Sequence, residues 1–167
     1  MTSDFKKILR LLSVCALALC AVPLLAVMTA PTNFSGTYVL QTADTRKASA
    51  PIGLKIAQGT KTIEVTDDTA GKVTTNTFSL DGKDGPYVTA TGFPGICSVK
   101  WENKALVLQT LVDAKKDGKV IHFLTKKRME LSADGATLKV HTVIISPDVP
   151  SGLFPPFDSV YKRSKQP

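Results

Sequence analysis

His122 and His141 are the two histidines of the chain, and Cys97 is the one cysteine outside its first thirty residues. A zinc-type centre draws three or four His, Cys or carboxylate ligands around one ion, and no CxxC or HxxxH spacing supplies such a set. Strand pairing, derived below, sets His141 opposite Arg128 on an outer face and His122 several rows away. Surface histidines and no metal are therefore expected. Thiol chemistry would need a base beside Cys97. No histidine neighbours it in sequence, so Cys97 reads as a small buried apolar residue. Carboxylates pair as Asp67 with Asp68, Asp81 with Asp84, and Asp113 with Asp117. Each pair falls in or beside a turn signal, where Asp bonds backbone amides, and turn chemistry accounts for all three. Acidic residues are too sparse for a calcium loop, and no Gly-x-Ser-x-Gly elbow accompanies the serines. No catalytic residues are assigned, and no enzyme is expected.

Lys127 is the informative residue. Strand parity puts it on the face of Leu106, Met129 and Thr142, while Lys126 and Arg128 point outward. An unpaired ammonium is costly to bury. Lys127 therefore either reaches solvent from a barrel mouth or meets the acidic group of an amphipathic ligand in a cavity. The polar part of that cavity would be Thr110, Thr125 and Thr142, and the apolar part Trp101, Leu108, Phe123 and Met129. Apolar walls with few polar groups describe a ligand site, and a packed core equally well.

Strands must position these side chains. Within residues 96–146, a turn at Asn103-Lys104 pairs Trp101 with Leu106, Val99 with Leu108, and Cys97 with Thr110. A turn over residues 115–118 pairs Val112 with Ile121, Thr110 with Phe123, Leu108 with Thr125, and Leu106 with Lys127. A turn over residues 133–136, centred on Asp134-Gly135, pairs Leu131 with Leu138 and Met129 with Val140. It also sets Glu130 opposite Lys139 on the outer side as a charge pair. Asp-Gly turns suit hairpins because Gly tolerates positive φ. The three turns agree on one inner face.

Upstream, a strand starts at Gly36 and residues 42–50 read as a polar loop. Ile52, Leu54 and Ile56 then alternate with Gly53 and Lys55 as in a half-buried strand. A turn at Gly59-Thr60 sets Ile56 opposite Ile63 and Leu54 opposite Val65, and another covers residues 68–72. The inward side of residues 73–80 stays open, because Phe78 and Leu80 favour one parity and Val73 the other. A turn over residues 81–85, a short strand over 87–91 and a break at 92–95 follow. Residues 147–156 hold four prolines and read as a loop. Residues 157–163 form the last strand, and the tail after it is expected to fray. Nine or ten short strands without helical periodicity after residue 30 give an all-β fold. Its form is an antiparallel up-and-down meander of about 8–10 strands, closing into a barrel that removes exposed edges.

The first thirty residues read differently. Lys6, Lys7 and Arg10 precede an apolar run over residues 11–27, the pattern of a secretory signal. Three forms stay open: a cleaved signal, an uncleaved N-terminal anchor helix, or an atypical lipoprotein attached through Cys20. Residues 1–30 are thus assigned to export and residues 31–167 to one folded domain, placed outside the cytoplasm in the periplasm or secreted. Any membrane contact would run through the N-terminal segment. The net charge of +7 comes mostly from scattered lysines, not from clustered arginines with aromatics between them, so nucleic acid is not expected.

Gly36-Thr37-Tyr38 resembles the Gly-x-Trp start of the calycin group, which spans lipocalins, fatty-acid-binding proteins and short exported lipocalin-like bacterial proteins. Residues 131–138, Leu-Ser-Ala-Asp-Gly-Ala-Thr-Leu, are similar to the phrasing of the bacterial members. The resemblance implies a lipocalin-like barrel in which the first-strand aromatic, here Tyr38, packs against a late Arg, here Arg163. It departs from the pattern in having no disulfide, no C-terminal helix, and no helix pair after the first strand. The expected function is non-enzymatic, without cofactor: an exported barrel holding a small apolar or amphipathic ligand. The alternative is an envelope structural or interaction protein, solidly packed, acting through its outer face or the 147–156 loop.

Overall fold

A computed structural model describes residues 32–43 and 50–164. The expectations for residues 1–30 lie outside the described residues. The described chain forms ten strands: β1 (Gly36–Ala43), β2 (Gly53–Gln58), β3 (Thr62–Thr69), β4 (Lys72–Ser79), β5 (Gly85–Val88), β6 (Pro94–Glu102), β7 (Ala105–Lys116), β8 (Lys119–Leu131), β9 (Thr137–Ile145) and β10 (Phe157–Arg163). All neighbours pair antiparallel, in the order β4-β3-β2-β1-β10-β9-β8-β7-β6-β5. This is the all-β meander the alternating pattern predicts. In β9, Leu138, Val140 and Thr142 face in while Lys139 and His141 face out. β2 does the same with Leu54 and Ile56 against Lys55 and Ala57.

The barrel is nearly closed. β4 and β5, the two ends of the strand order, meet without a strand ladder. Asn76 in β4 bridges them with its side chain, donating from Nδ2 to the Val88 carbonyl at 3.0 Å and accepting from the Val88 amide at 2.9 Å. A carboxamide carries one acceptor and one donor group side by side, so it substitutes for the missing peptide partner. Asn76 and Phe78 are buried and Val73 is exposed, which settles the inward face of β4. Asn76→Ala is expected to cost about 1 kcal/mol, because Val88 can turn to water. Hydrogen exchange should speed up at the Val88 amide and stay unchanged at Ile56.

One end of the barrel is plugged. Tyr38 and Phe34 are fully buried there, and Trp101 stacks on Phe34 with centroids 5.9 Å apart. The Tyr38 hydroxyl donates to the Phe34 carbonyl at 2.8 Å and accepts from Arg163 Nη2 at 2.9 Å. The Arg163 guanidinium also lies 5.4 Å from the Tyr38 ring centroid. The pairing implied by the first-strand resemblance is present. Gly36 is part of it: at φ +154°, a Cβ there would stand 3.0 Å from Arg163 Nε.

Two expected registers hold and two slide by two residues. β6–β7 pairs Trp101 with Leu106 and Cys97 with Thr110, and β8–β9 pairs Met129 with Val140 and Arg128 with His141. Glu130 does lie opposite Lys139, but its ion pair is with Arg128 at 2.7 Å. In β7–β8, Val112 faces Phe123, Leu108 faces Lys127 and Leu106 faces Met129. The cause is a two-residue turn at Asp117-Gly118, with φ of 52° and 77°, in place of a four-residue loop. Both residues at positive φ make the turn whose twist suits a hairpin. In β2–β3, Ile56 faces Val65 and Leu54 faces Asp67. β3 also runs on to Thr69, into the 68–72 stretch read from the sequence as a turn, and turns at Ala70-Gly71. β1 runs through residues 42 and 43, past an irregularity after Leu40. Beyond the last strand, the Ser164 amide still donates to Thr37 O at 2.7 Å.

Candidate functional site

Two neighbouring spaces in the barrel share part of their lining. The inner chamber gives about 40 Å³ to the centres of water-sized spheres, room for roughly three waters. Its walls are apolar side chains such as Leu54, Val65, Phe78 and Val140. The outer space, at the wide end, gives about 380 Å³ and is walled by Phe93, Val112, Phe123, Ile144 and Phe154. Tyr87, Thr110, Thr125, Lys127, Thr142 and Phe157 line both.

Four of the eight sequence-predicted site residues line both spaces, Lys127, Thr110, Thr125 and Thr142, and Leu108 lines the inner chamber. Slides of two residues keep strand parity, so Lys127 faces inward despite the changed β7–β8 register. Met129 lines the inner chamber, buried at 2% exposure. Phe123 lines the mouth, where Phe154 of the 147–156 loop meets it edge-on at 5.8 Å. Trp101 stands apart. It borders neither space, because it sits at the opposite end of β6, beside the Asn103-Lys104 turn and against Phe34.

Asp67, Ser159, Tyr87 and Tyr161 also line the chamber, and the sequence reading missed all four as site residues. The pattern did hold a signal for Asp67. It follows Ile63 and Val65 at a spacing of two, so it shares their inward face once β3 is carried to Thr69. Asp67 Oδ1 and Ser159 Oγ are buried without a hydrogen-bond partner. Burial pushes the Asp67 carboxyl above its ordinary 3.8, and the Lys127 charge partly offsets this. Among the described residues no ion pair joins Asp67 to Lys127, so that charge acts from beyond direct contact. Burial also raises the Tyr87 phenol to about 12, with the Asp67 charge adding to it. The Tyr161 phenol is raised by burial too, and the nearby Ser159 hydroxyl offsets part of the effect without reaching hydrogen-bond geometry. At neutral pH both phenols therefore stay protonated and act as hydrogen-bonding groups.

The sign of the Asp67 shift gives a pH prediction. Its proton is held more tightly in the folded chain than in the unfolded one. The contribution from protonated Asp67 is complete below 3.8 and fades as pH rises through the raised folded value. Asp67→Asn lacks that loss. Urea midpoints measured across the acid-to-neutral range should show the variant gaining on the wild type as pH rises, then levelling off.

The other candidates take structural partners on the outer surface or in turns. His122 Nδ1 lies 2.7 Å from Asp113 Oδ1 and His141 Nδ1 lies 2.6 Å from Asp158 Oδ1. The bond to Asp113 raises the His122 pKa. Asp68 accepts from the Gly71 amide, and Asp81 from Ser79 and the Lys83 amide, as turn carboxylates do. Cys97 is buried, its Sγ 3.5 Å from the Gly85 and Pro86 carbonyls, and burial pushes its thiol up. A low-pKa nucleophile would be shifted the other way.

No family model matches the chain, and no curated protein does. Solved structures do match. Fatty-acid-binding protein 1 of Echinococcus granulosus superposes with a TM-score of 0.56 at 15% identity, over 79% of this chain and 98% of that one. A second structure, the REP1-NXSQ fatty acid transporter, superposes with a TM-score of 0.52 at 14% identity, over 80% and 97%. Identities this low carry the fold alone.

Proposed function

We propose that this calycin-type β-barrel is an exported binding protein that holds a small apolar or amphipathic molecule, its polar end in the inner chamber and its apolar body in the mouth. The observation that carries the reading is the pair of neighbouring spaces, largely apolar-walled and sharing six lining residues, with Asp67 and Ser159, each bearing a buried unpartnered oxygen, in the wall of the inner one. Leaving two such polar atoms unmatched in a core costs stability, and a ligand or water that meets them recovers it. The fatty-acid-binding proteins named above support a barrel that takes a lipid-like molecule. Export rests on the basic, then apolar, first thirty residues.

Two measurements test the binding reading: native mass spectrometry of the purified chain, and a Nile red titration followed by fluorescence. A bound small mass, or saturable dye binding at one site, is the expected result. Neither would be seen from a solid barrel.

A second reading has its own support. The chamber is narrow, and the outer face carries an apolar row that runs across five strands: Pro86, Ile96, Leu111, Leu124 and Ile145, each paired with the next. Ile96, Leu111 and Ile145 are 48%, 42% and 55% exposed. A row of this kind suits a protein contact. On this reading the barrel is a scaffold, Nile red does not enter it, and Leu111→Lys abolishes the contact without altering stability.

A further inference from the structure

We propose that the inner chamber selects a neutral head group that donates a hydrogen bond, such as a long-chain alcohol's hydroxyl, over the carboxylate of a free fatty acid. The inference rests on the binding reading above and adds the chemical class of the ligand. It starts from the two unpartnered atoms. Asp67 comes from β3 and Ser159 from β10; both residues line the same small chamber, and Asp67 Oδ1 and Ser159 Oγ are buried behind its surface without a hydrogen-bond partner. A carboxylate oxygen can only accept while Asp67 is ionised, whereas a serine hydroxyl can donate and accept. A hydroxyl in the chamber suits either residue, as donor to Asp67 or as acceptor from Ser159.

Charge leads to the same conclusion. Lys127 is the cation that would attract an acidic ligand, but it shares the chamber with Asp67. Asp67 offsets part of the attraction that Lys127 would exert on a carboxylate. A carboxylate entering from the mouth would have to ionise beside a second carboxylate in a low-dielectric site, where two such groups do not both hold their charge. Burial already works against the Asp67 charge. A hydroxyl meets either protonation state of Asp67, as donor to the ionised form or acceptor from the neutral one, while a carboxylate suits only the neutral form. Size agrees, because a chamber with room for roughly three waters fits a head group of one or two heavy atoms.

The test uses the full chain loaded with Nile red, displaced at pH 8 by dodecanol or by dodecanoate, which share one chain length. Dodecanol is expected to compete at a concentration lower by about tenfold, the scale of one like-charge interaction in a dry site. In Asp67→Asn the gap should close to within about twofold, mainly because dodecanoate binds better. Ser159→Ala should weaken dodecanol and leave dodecanoate unchanged. Equal or better competition by dodecanoate in the wild type overturns the selectivity, as does an unchanged gap in Asp67→Asn. If the wild-type chain takes up no Nile red, the binding reading itself fails, and this inference falls with it.

Discussion

Tyr38→Ala is expected to remove about 3–5 kcal/mol of stability, the cost of truncating a large, fully buried ring. The native state of a domain this size is worth only about 5–15 kcal/mol, so the variant should unfold at a much lower urea concentration or fail to fold. Two contributions are at stake and can be separated. Tyr38→Phe keeps the ring under the Arg163 guanidinium but leaves the Phe34 carbonyl without its donor. That change should cost about 1–3 kcal/mol, the penalty for orphaning a buried acceptor. Trp101 is the single tryptophan and stacks on Phe34 in the same plug, so its emission reports on this end of the barrel. An unfolding midpoint for Tyr38→Ala close to that of the wild type would mean that the plug does not hold the barrel together.

Gly95→Ala is the second large effect. The β6 backbone lies so near β7 that a Cβ at Gly95 would overlap the Leu111 carbonyl oxygen and stand 2.9 Å from Val112 Cγ2. The Val112 side chain can turn aside, but the carbonyl cannot, because Leu111 pairs with Ile96 on one side and Leu124 on the other. Strands β6 and β7 must therefore separate locally, at a cost of about 3 kcal/mol, the upper range for overpacking. Urea denaturation gives the size of the loss. Amide exchange should place it at residues 95–97 and 110–112, with β2 and β3 protected as before. A midpoint within error of wild type would mean that the two strands relax apart freely.

The inner face of the β6–β9 hairpins was legible in the sequence because side-chain direction depends only on parity. Asn103-Lys104 and Asp134-Gly135 mark their own turns, and both pairings follow. At Asp117-Gly118 the flanking lysines looked like loop, and the register slid by two, yet Lys127 stayed inward because two residues restore the same face. The same slide at Gly59-Thr60 had a larger effect. The register read from the sequence had Val65 opposite Leu54, where Asp67 stands, and an acidic pair at the start of the 68–72 turn looked like turn chemistry. Asp68 is such a residue and Asp67 is not. Local composition cannot separate them, since only the length of β3 decides which one enters the barrel. Trp101 failed for a different reason. Parity gives the face of a strand but not the height along the barrel, and height is what divides the plug from the chamber. The link between Asn76 and Val88 was beyond reach, because it joins the two strands that have no ladder between them.

That link bears on the girth of the barrel. A hoop closed by a full ladder has a circumference fixed by its strand count and stagger, and stretching it means breaking a row of backbone bonds. Here the hoop is a rolled sheet whose ends are joined by the Asn76 carboxamide and by Phe78 packing on Tyr87, and losing the two Asn76 hydrogen bonds costs about 1–3 kcal/mol in all. Asn76 itself borders the inner chamber, so the fastening and the contents share a wall. The 40 Å³ chamber therefore has one wall whose closing hydrogen bonds come from a side chain and not from a ladder.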